Sequence, residues 1–239
     1  MPTTIELQTP DGPMEAYSAA PAGNARGAVI VIQEAFGLTE HIGVVCDRFA
    51  AEGFRALAPA MFHRGGHPAP VAAYDDIPAV FDILQQLTAE GIAMDVAATV
   101  AALRSEGFGP GSIGITGFCM GGSITFMACT GPGVDCGVTY YGGGLKAARF
   151  GMPALVDLAS ELCVPWMGHY GDLDQGIPVA EVEELRDAIA AAGVDGTIHR
   201  YDQADHGFNC EDRPAVYNAE AAATAWARTI EFFSSHLHR

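Results

Sequence analysis

The sequence has few basic residues and no long apolar run. Its 12 Lys and Arg stand against 29 Asp and Glu, so the formal net charge is −17. No basic stripe is present to neutralise phosphates, which argues against nucleic-acid binding. No apolar segment approaches the ~18 residues that a transmembrane helix needs, and Met1 to Thr9 lacks the basic and apolar regions of a signal peptide. We therefore expect a cytoplasmic protein whose partners include neither nucleic acid nor a membrane.

Paired-cysteine and paired-histidine metal motifs are also missing. The six cysteines are scattered and none forms C-x-x-C, which excludes a dithiol redox motif and a paired-cysteine zinc site. Cys129, Cys136 and Cys163 lie in apolar contexts and are predicted to be inert core residues. His63 and His67 are four residues apart, but in a Gly/Pro-rich loop rather than on a helix, so they do not indicate a metal pair. We expect no metal and no cofactor.

The order of apolar runs predicts the fold class. Alternation at 4–9 and 14–19, separated by the turn Asp11-Gly12, indicates an opening antiparallel hairpin. Strands and helices then alternate, which predicts an α/β fold with a mostly parallel sheet and helices on both faces. No linker or repeat divides residues 1–239, so we predict one domain. The further strands are expected at 28–32, 54–58, 113–116, 134–140, 163–169 and 197–201, and the helices at 39–51, 75–90, 94–106, 123–130, 179–192 and 214–236.

The motif G-x-C-x-G at 117–121 is the most informative stretch. It matches the nucleophile-elbow pattern G-x-S-x-G with Cys119 in place of serine, between a short β-branched strand and a helix. A sharp strand-to-helix turn needs small residues two before and two after the nucleophile, and Gly117 and Gly121 occupy those positions. The turn also places the thiol at a helix N-terminus, which favours thiolate. The alternative is that Cys119, like most unpaired cysteines, is a small buried hydrophobe.

Two later loops offer partners for this thiol. A fold of this kind delivers nucleophile, acid and histidine in that chain order, each from a loop at the carboxyl end of a strand. Asp172 and Asp174 follow the strand predicted at 163–169, and His206 follows the last predicted strand. Spacing does not decide between the two aspartates, since one can orient the imidazole while the other caps the next helix or faces water. His206 itself could instead be an exposed loop histidine.

Five motifs together resemble the dienelactone hydrolase family of carboxymethylenebutenolidase-like enzymes, which have the α/β-hydrolase fold. They are Q-E-A-F-G at 33–37, G-F-C-M-G-G at 117–122, Y-Y-G-G-G at 140–144, D-x-x-I-P at 174–178 and H-G-F at 206–208. The resemblance implies a triad of Cys119, His206 and Asp174. It also implies that Glu34 helps to deprotonate the thiol and that the backbone N–H groups of Ala35 and Met120 form the oxyanion hole. Residues expected to contact the substrate are Phe36, Tyr141, Arg64 and Phe208.

One departure from the family pattern concerns the substrate. Dienelactone-cleaving members hold a substrate carboxylate with two arginines, one of them four residues beyond the histidine, where this chain has Cys210. Cysteine cannot supply guanidinium geometry, so Arg64 or Arg213 would have to substitute, or the substrate is uncharged. We predict a cysteine-dependent hydrolase of a small ester or lactone that forms a covalent acyl-enzyme, as a monomer or small homo-oligomer. The alternatives are a thioesterase using the same residues and a non-catalytic or redox-sensing protein.

Overall fold

A computed structural model describes residues 3–238, and within them the chain forms eight β-strands and seven α-helices. The strands are β1 (Thr3–Thr9), β2 (Gly12–Ala19), β3 (Ala28–Ile32), β4 (Arg55–Pro59), β5 (Ile113–Phe118), β6 (Cys136–Tyr140), β7 (Trp166–Gly171) and β8 (Gly196–Tyr201). The helices are α1 (Glu40–Ala51), α2 (Ile77–Leu84), α3 (Ala89–Ser105), α4 (Met120–Ala128), α5 (Leu155–Leu158), α6 (Val179–Ala192) and α7 (Ala219–His236). None of the helices within 3–238 is long and apolar enough to cross a bilayer.

All eight strands join one sheet in the order β1-β2-β4-β3-β5-β6-β7-β8. β1 pairs antiparallel with β2, β2 pairs antiparallel with β4, and the remaining pairs are parallel. The strands from β3 to β7 are buried along their whole length, as expected for a parallel sheet covered on two faces. The predicted α/β fold with an opening hairpin is confirmed.

Two glycines of β5 show that helices cover both faces. Side chains alternate between the faces of a strand, so positions 114 and 117 point in opposite directions. A Cβ on Gly114 would lie 2.6 Å from the ring of Phe233 in α7, whereas one on Gly117 would collide with α4. α1 packs beside α7 through the rings of Phe49 and Phe233, whose centroids are 5.8 Å apart.

The sheet order places the candidate site. The order reverses at β3, which has β4 on one side and β5 on the other. In open α/β sheets, ligands bind outside the carboxyl ends of the strands at such a reversal. The loops that leave the carboxyl ends of β3, β5, β6, β7 and β8 carry the five sequence motifs.

The largest boundary errors of the sequence prediction lie around α2 and α7. The helix predicted at 75–90 ends at Leu84, and α3 begins well before the predicted residue 94 because the Thr88 side chain accepts from the N–H of Gly91 at 3.1 Å. The helix predicted from 214 begins at Ala219, capped by Asn218, so Pro214 is not in its first turn. The missed signals were in both cases N-cap side chains.

Candidate active site

Cys119 lies at the junction of β5 and α4 with φ 55° and ψ −116°. A positive φ is strained for a residue with a Cβ, and the surrounding backbone must hold it. Its N–H donates to the carbonyl of Tyr140 at 3.0 Å. A Cβ on Gly117 would collide with the carbonyl oxygen of Gly121, and one on Gly121 would lie 2.5 Å from the carbonyl oxygen of Ile32. The two glycines therefore permit the close approach that the motif predicts, and β5 runs directly into α4 at the thiol.

His206 and Asp174 form a tight pair. The imidazole Nδ1 lies 2.6 Å from Oδ2 of Asp174, whose residue is 4% exposed. The other carboxylate oxygen, Oδ1, accepts from the N–H groups of Gly176 at 2.8 Å and Ile177 at 3.1 Å. These backbone bonds fix the carboxylate, so it can orient the imidazole with Nε2 left for chemistry.

Asp172 has a different partner. Arg200 donates to both of its carboxylate oxygens, with Nε–Oδ1 2.8 Å and Nη2–Oδ2 2.7 Å. α6 begins after Pro178 without a side-chain cap, so neither aspartate caps it. The alternatives that spacing left open are thus separated: Asp174 contacts the imidazole, and Asp172 forms a partly exposed ion pair.

Cys119 and Asp174 both act on the protonation of His206. Burial lowers the pKa of His206, but the charge of Cys119, the hydrogen bond that His206 Nδ1 donates to Asp174 and a side-chain interaction with Cys119 outweigh it. The net effect raises the pKa of His206 above that of a free histidine. The protonated imidazolium form of His206 is therefore favoured at this position.

Glu34 follows β3, and its carboxylate is buried in the protein interior. It is 1% exposed, and within residues 3–238 neither carboxylate oxygen has a hydrogen-bond partner of normal geometry. Burial raises the pKa of Glu34, and the charges of Arg213 and His206 and the hydroxyl of Tyr141 offset only part of this rise. A carboxylate in such surroundings readily accepts a proton.

Two backbone N–H groups remain available beside the thiol. Met120 is the first residue of α4, so its N–H has no acceptor within the helix. Ala35 lies in the turn after β3, and its N–H makes no backbone hydrogen bond to another described residue. The packing of Gly121 against the carbonyl of Ile32 brings these two backbone segments together. Two N–H groups on adjoining backbone segments can together stabilise a negative charge that develops on a bound oxygen.

Aromatic rings surround the imidazole. The Tyr141 ring lies 5.1 Å from His206 and 5.3 Å from Phe208. Its buried hydroxyl, which acts on Glu34, has no hydrogen-bond partner of normal geometry among the described residues. Phe208 and Tyr141 are both 0% exposed and pack against each other, so their expected contact with a substrate stays a prediction. Phe36 packs edge-on against Tyr74 with centroids 4.8 Å apart. Tyr74 lies in an irregular loop outside the five motifs, and no local signal in the sequence singles it out.

The two candidate arginines are placed differently. Each guanidinium nitrogen of Arg64 is engaged: Nε by Asp11 at 2.8 Å, Nη1 by Asp95 at 2.6 Å, and Nη2 by Asp95 at 2.9 Å and the Gly91 carbonyl. Arg64 therefore has no free edge for a substrate, which corrects the expectation that it contacts one. Arg213 lies 5.6 Å from the ring centroid of Phe36 and against Gly207.

Arg213 also differs from Arg64 in its lack of fixed partners. Within the described residues its side chain makes no ion pair or hydrogen bond, and its charge acts on the buried Glu34.

Cysteines elsewhere have separate surroundings. Cys129 and Cys136 are buried as predicted, but Cys163 is exposed because β7 begins only at Trp166. Its thiol donates to the carbonyl of Cys129 at 3.3 Å. Cys210 is buried, and its thiol donates to the Tyr74 hydroxyl at 3.5 Å. No group of three metal-ligating side chains occurs within residues 3–238.

A nucleophile elbow in this sheet order, with an imidazole and a carboxylate delivered from the loops after β8 and β7, defines the α/β-hydrolase class. Residues 14–237 match the sequence model of the dienelactone hydrolase family, and the chain belongs to that family.

Relatives and a solved structure agree with this assignment. A protein of Methylorubrum extorquens named "Putative carboxymethylenebutenolidase" is 36% identical over 236 residues, which cover 97% of this chain and 80% of the relative. A Yersinia pestis protein of the same name is 34% identical over 238 residues, covering 98% and 87%. The crystal structure of a "Putative Dienelactone Hydrolase" from Klebsiella pneumoniae superposes with a TM-score of 0.88 at 34% identity, covering 98% of both chains. The protein is thus a hydrolase of a small-molecule ester or lactone.

Proposed function

We propose that the protein hydrolyses its ester or lactone through a covalent thioester on Cys119. The observation that carries the proposal is the 2.6 Å contact between His206 Nδ1 and Asp174 next to a strained cysteine at the first turn of α4. The contact keeps the proton on Nδ1, so Nε2 can exchange protons with the sulfur and the leaving group. A buried structural cysteine would need neither the strained backbone nor an oriented imidazole.

The acylation step uses the sulfur and the two free N–H groups. Cys119 Sγ attacks the acyl carbon, and the carbonyl electrons move onto oxygen, where the N–H groups of Ala35 and Met120 stabilise the oxyanion. Collapse of this intermediate breaks the bond to the alkoxy oxygen, which takes a proton from His206 Nε2. The leaving alcohol departs from an ester, whereas from a lactone it stays attached to the acyl group.

Deacylation reverses these proton transfers. His206 Nε2 takes a proton from water, the resulting hydroxide attacks the thioester, and the sulfur leaves as thiolate. Asp174 stabilises the imidazolium in both steps and remains ionised. Glu34 acts before the first step: where the resting sulfur carries a proton, the Glu34 carboxylate accepts it, because burial raises the pKa of Glu34 and no described group holds its oxygens by a normal hydrogen bond. The thiolate then lies beside a His206 imidazolium, which supplies the proton for the leaving oxygen and regains one from water in deacylation.

Arg213, rather than Arg64, is the residue we assign to an anionic group of the substrate. Its guanidinium lies over the ring of Phe36 and its charge acts on Glu34, while it has no hydrogen bond or ion pair within residues 3–238. A guanidinium binds a carboxylate in two-point geometry. Hydrolysis of matched esters with and without a carboxylate tests this assignment. Arg213→Gln should raise KM for the carboxylated ester only, while the control Arg26→Gln, whose side chain packs on Phe54, should change neither. Equal effects on both esters would contradict the assignment.

The main test uses p-nitrophenyl acetate. We expect Cys119→Ala to abolish hydrolysis and iodoacetamide to inactivate the wild-type enzyme, whereas the exposed-cysteine control Cys163→Ser should keep activity and remain sensitive to iodoacetamide. Hydrolysis that survives both Cys119→Ala and iodoacetamide would refute the proposal. The absence of turnover of any activated ester would support the non-catalytic or redox-sensing alternative instead.

A further inference from the structure

An apolar groove lies on the outer surface between α3, the end of α4 and the turn that leads to β6. Its cavity volume is about 660 Å³. Its lining includes Val96 and Val100 of α3, Met127 at the end of α4, and Pro132 and Val134 of the turn. α4 leads away from Cys119, and the turn at 130–134 precedes the amino end of β6. The groove therefore lies at the end of the sheet away from the candidate active site.

The exposed face of α3 beside this groove is uncharged over most of its length. Ala93, Ala97 and Ala101 are exposed and follow one another at helical spacing, while Asp95 is fully buried. The next charges on this face are Glu90 towards the amino end and Arg104 towards the carboxyl end. On a chain with a net charge of −17, a face of this kind is one where a second negatively charged molecule can approach with little repulsion.

The positions on this face are symmetric about Ala97. Glu90 and Arg104 are equally far from it along the helix, as are Ala93 and Ala101. At 3.6 residues per turn all five positions fall within an arc of about 80°. If two copies of α3 packed antiparallel about a two-fold axis at Ala97, each Ala93 would face Ala101 of the other copy. Each Glu90 would then meet Arg104, so both charges of the face would be paired.

Arg104 is already oriented for this contact. Its Nη1 donates to the carbonyl of Phe108 at 2.9 Å and its Nη2 to that of Gly133 at 3.2 Å, with Asp135 3.9 Å away. These bonds hold the guanidinium at the end of the groove, where it is still partly exposed. A carboxylate arriving from a neighbouring helix would therefore meet a fixed cation rather than a free side chain.

From the groove and this charge complementarity we propose that the groove binds α3 of a second copy of this chain, in an antiparallel pair with its two-fold axis at Ala97. The contact is isologous, so each α3 lies in the groove of the other copy. The alanine side chains let the two helix axes come close, and the apolar walls then bury the flanks of the neighbouring helix. The proposal does not depend on the proposed reaction.

Site-directed cross-linking tests the register of this pair. In a Cys163→Ser background, Ala97→Cys should form a disulfide-linked dimer under mild oxidation, because facing positions at the axis come within the Cα separation of a disulfide, about 4.4–6.8 Å. Ala93→Cys alone is the matched control, since in this register it faces position 101 and not itself. A mixture of Ala93→Cys and Ala101→Cys chains should cross-link as a heterodimer. Equal cross-linking of Ala93→Cys and Ala97→Cys chains alone would overturn the proposed register.

Sedimentation velocity tests the association itself. The wild-type chain should sediment as a dimer, and Ala97→Glu should sediment as a monomer with unchanged p-nitrophenyl acetate hydrolysis, which shows that the variant is folded. Glu90→Arg should weaken the dimer at low salt, and adding Arg104→Glu to it should restore association. A wild-type monomer at all concentrations, or a dimer that persists in Ala97→Glu, would overturn the proposal.

Discussion

Asp174→Asn changes the contact with the His206 imidazole but keeps the backbone hydrogen bonds that shape the loop after β7. The amide oxygen can still accept from the N–H groups of Gly176 and Ile177, which now fix Oδ1 at 2.8 and 3.1 Å. The amide NH2 would then point at Nδ1 of His206. Because an NH2 group cannot accept, the imidazole must move its proton to Nε2, facing the sulfur, where it can no longer act as a base.

The expected loss of catalytic rate has two sources, the broken hydrogen bond and the changed tautomer of His206. A hydrogen bond to a charged group contributes about 1.5–3 kcal/mol, and each 1.4 kcal/mol is tenfold in rate, so the lost contact alone predicts about 10- to 100-fold. Inversion of the tautomer costs about 10⁴ in serine–histidine–aspartate triads. We therefore predict a fall in kcat/KM of about 10²–10⁴ for p-nitrophenyl acetate, with little change in thermal stability.

Asp172→Asn is the matched control. It removes a carboxylate that pairs with Arg200 in a partly exposed position, where ion pairs contribute about 0–1 kcal/mol. Initial rates should then stay within a few-fold of wild type. A larger loss for Asp172→Asn than for Asp174→Asn would refute the assignment of the acid.

Three further substitutions test other parts of the account. Glu34→Gln should lower kcat/KM by about 10²-fold or more, the scale of a lost proton acceptor, and should slow iodoacetamide alkylation at neutral pH; unchanged alkylation would remove Glu34 from thiol activation. Gly121→Ala should lower the free energy of unfolding in urea by about 1–3 kcal/mol, because the new Cβ would lie 2.5 Å from the carbonyl oxygen of Ile32 at the end of β3. Gly131→Ala, with open space around it, is the control, and equal stability of the two would contradict the packing argument. Burial lowers the pKa of His169 well below 6.5. Below pH ~6.5 the unfolded state therefore binds more protons than the folded state, so the free energy of unfolding falls as the pH decreases. The slope is up to about 1.4 kcal/mol per pH unit. His169→Gln should flatten this acid slope and the exposed control His238→Gln should not, whereas identical slopes would show that His169 does not contribute.

The fold and the elbow were predictable because their signals are local. Continuous apolar runs identify buried parallel strands, and glycines two before and two after a cysteine identify a turn that no larger residue can form. The collision predicted for a Cβ on Gly117 and the positive φ of Cys119 are the structural counterparts of that pattern. The chain order of nucleophile, acid and histidine follows from the order of the strands in the sheet. The opening hairpin and the alternation of strands and helices in the sequence together indicate that order.

The choice between two aspartates and between two arginines was not local. Asp172 and Asp174 lie in the same turn but have different partners. Asp174 contacts His206, whereas Asp172 pairs with Arg200 of β8. Arg64 Nη1 donates to Asp95 at 2.6 Å, and this contact holds Arg64 away from the role of binding a substrate. Asp95 is a buried residue of α3 about thirty positions further along the chain. Such pairings depend on tertiary contacts, for which a single sequence gives no spacing rule.

Trapping the acyl-enzyme would show whether Cys119 carries the acyl group during turnover. His206→Gln should slow deacylation more than attack on an activated ester, so that after mixing with p-nitrophenyl acetate the acyl group accumulates on the protein. Peptide mass mapping of the quenched sample should find one acetyl group on Cys119, and this group should be absent when Cys119→Ala is combined with His206→Gln. An acetyl group found on Cys163, Cys210 or a serine instead, with Cys119 unmodified while wild-type turnover proceeds, would contradict this prediction.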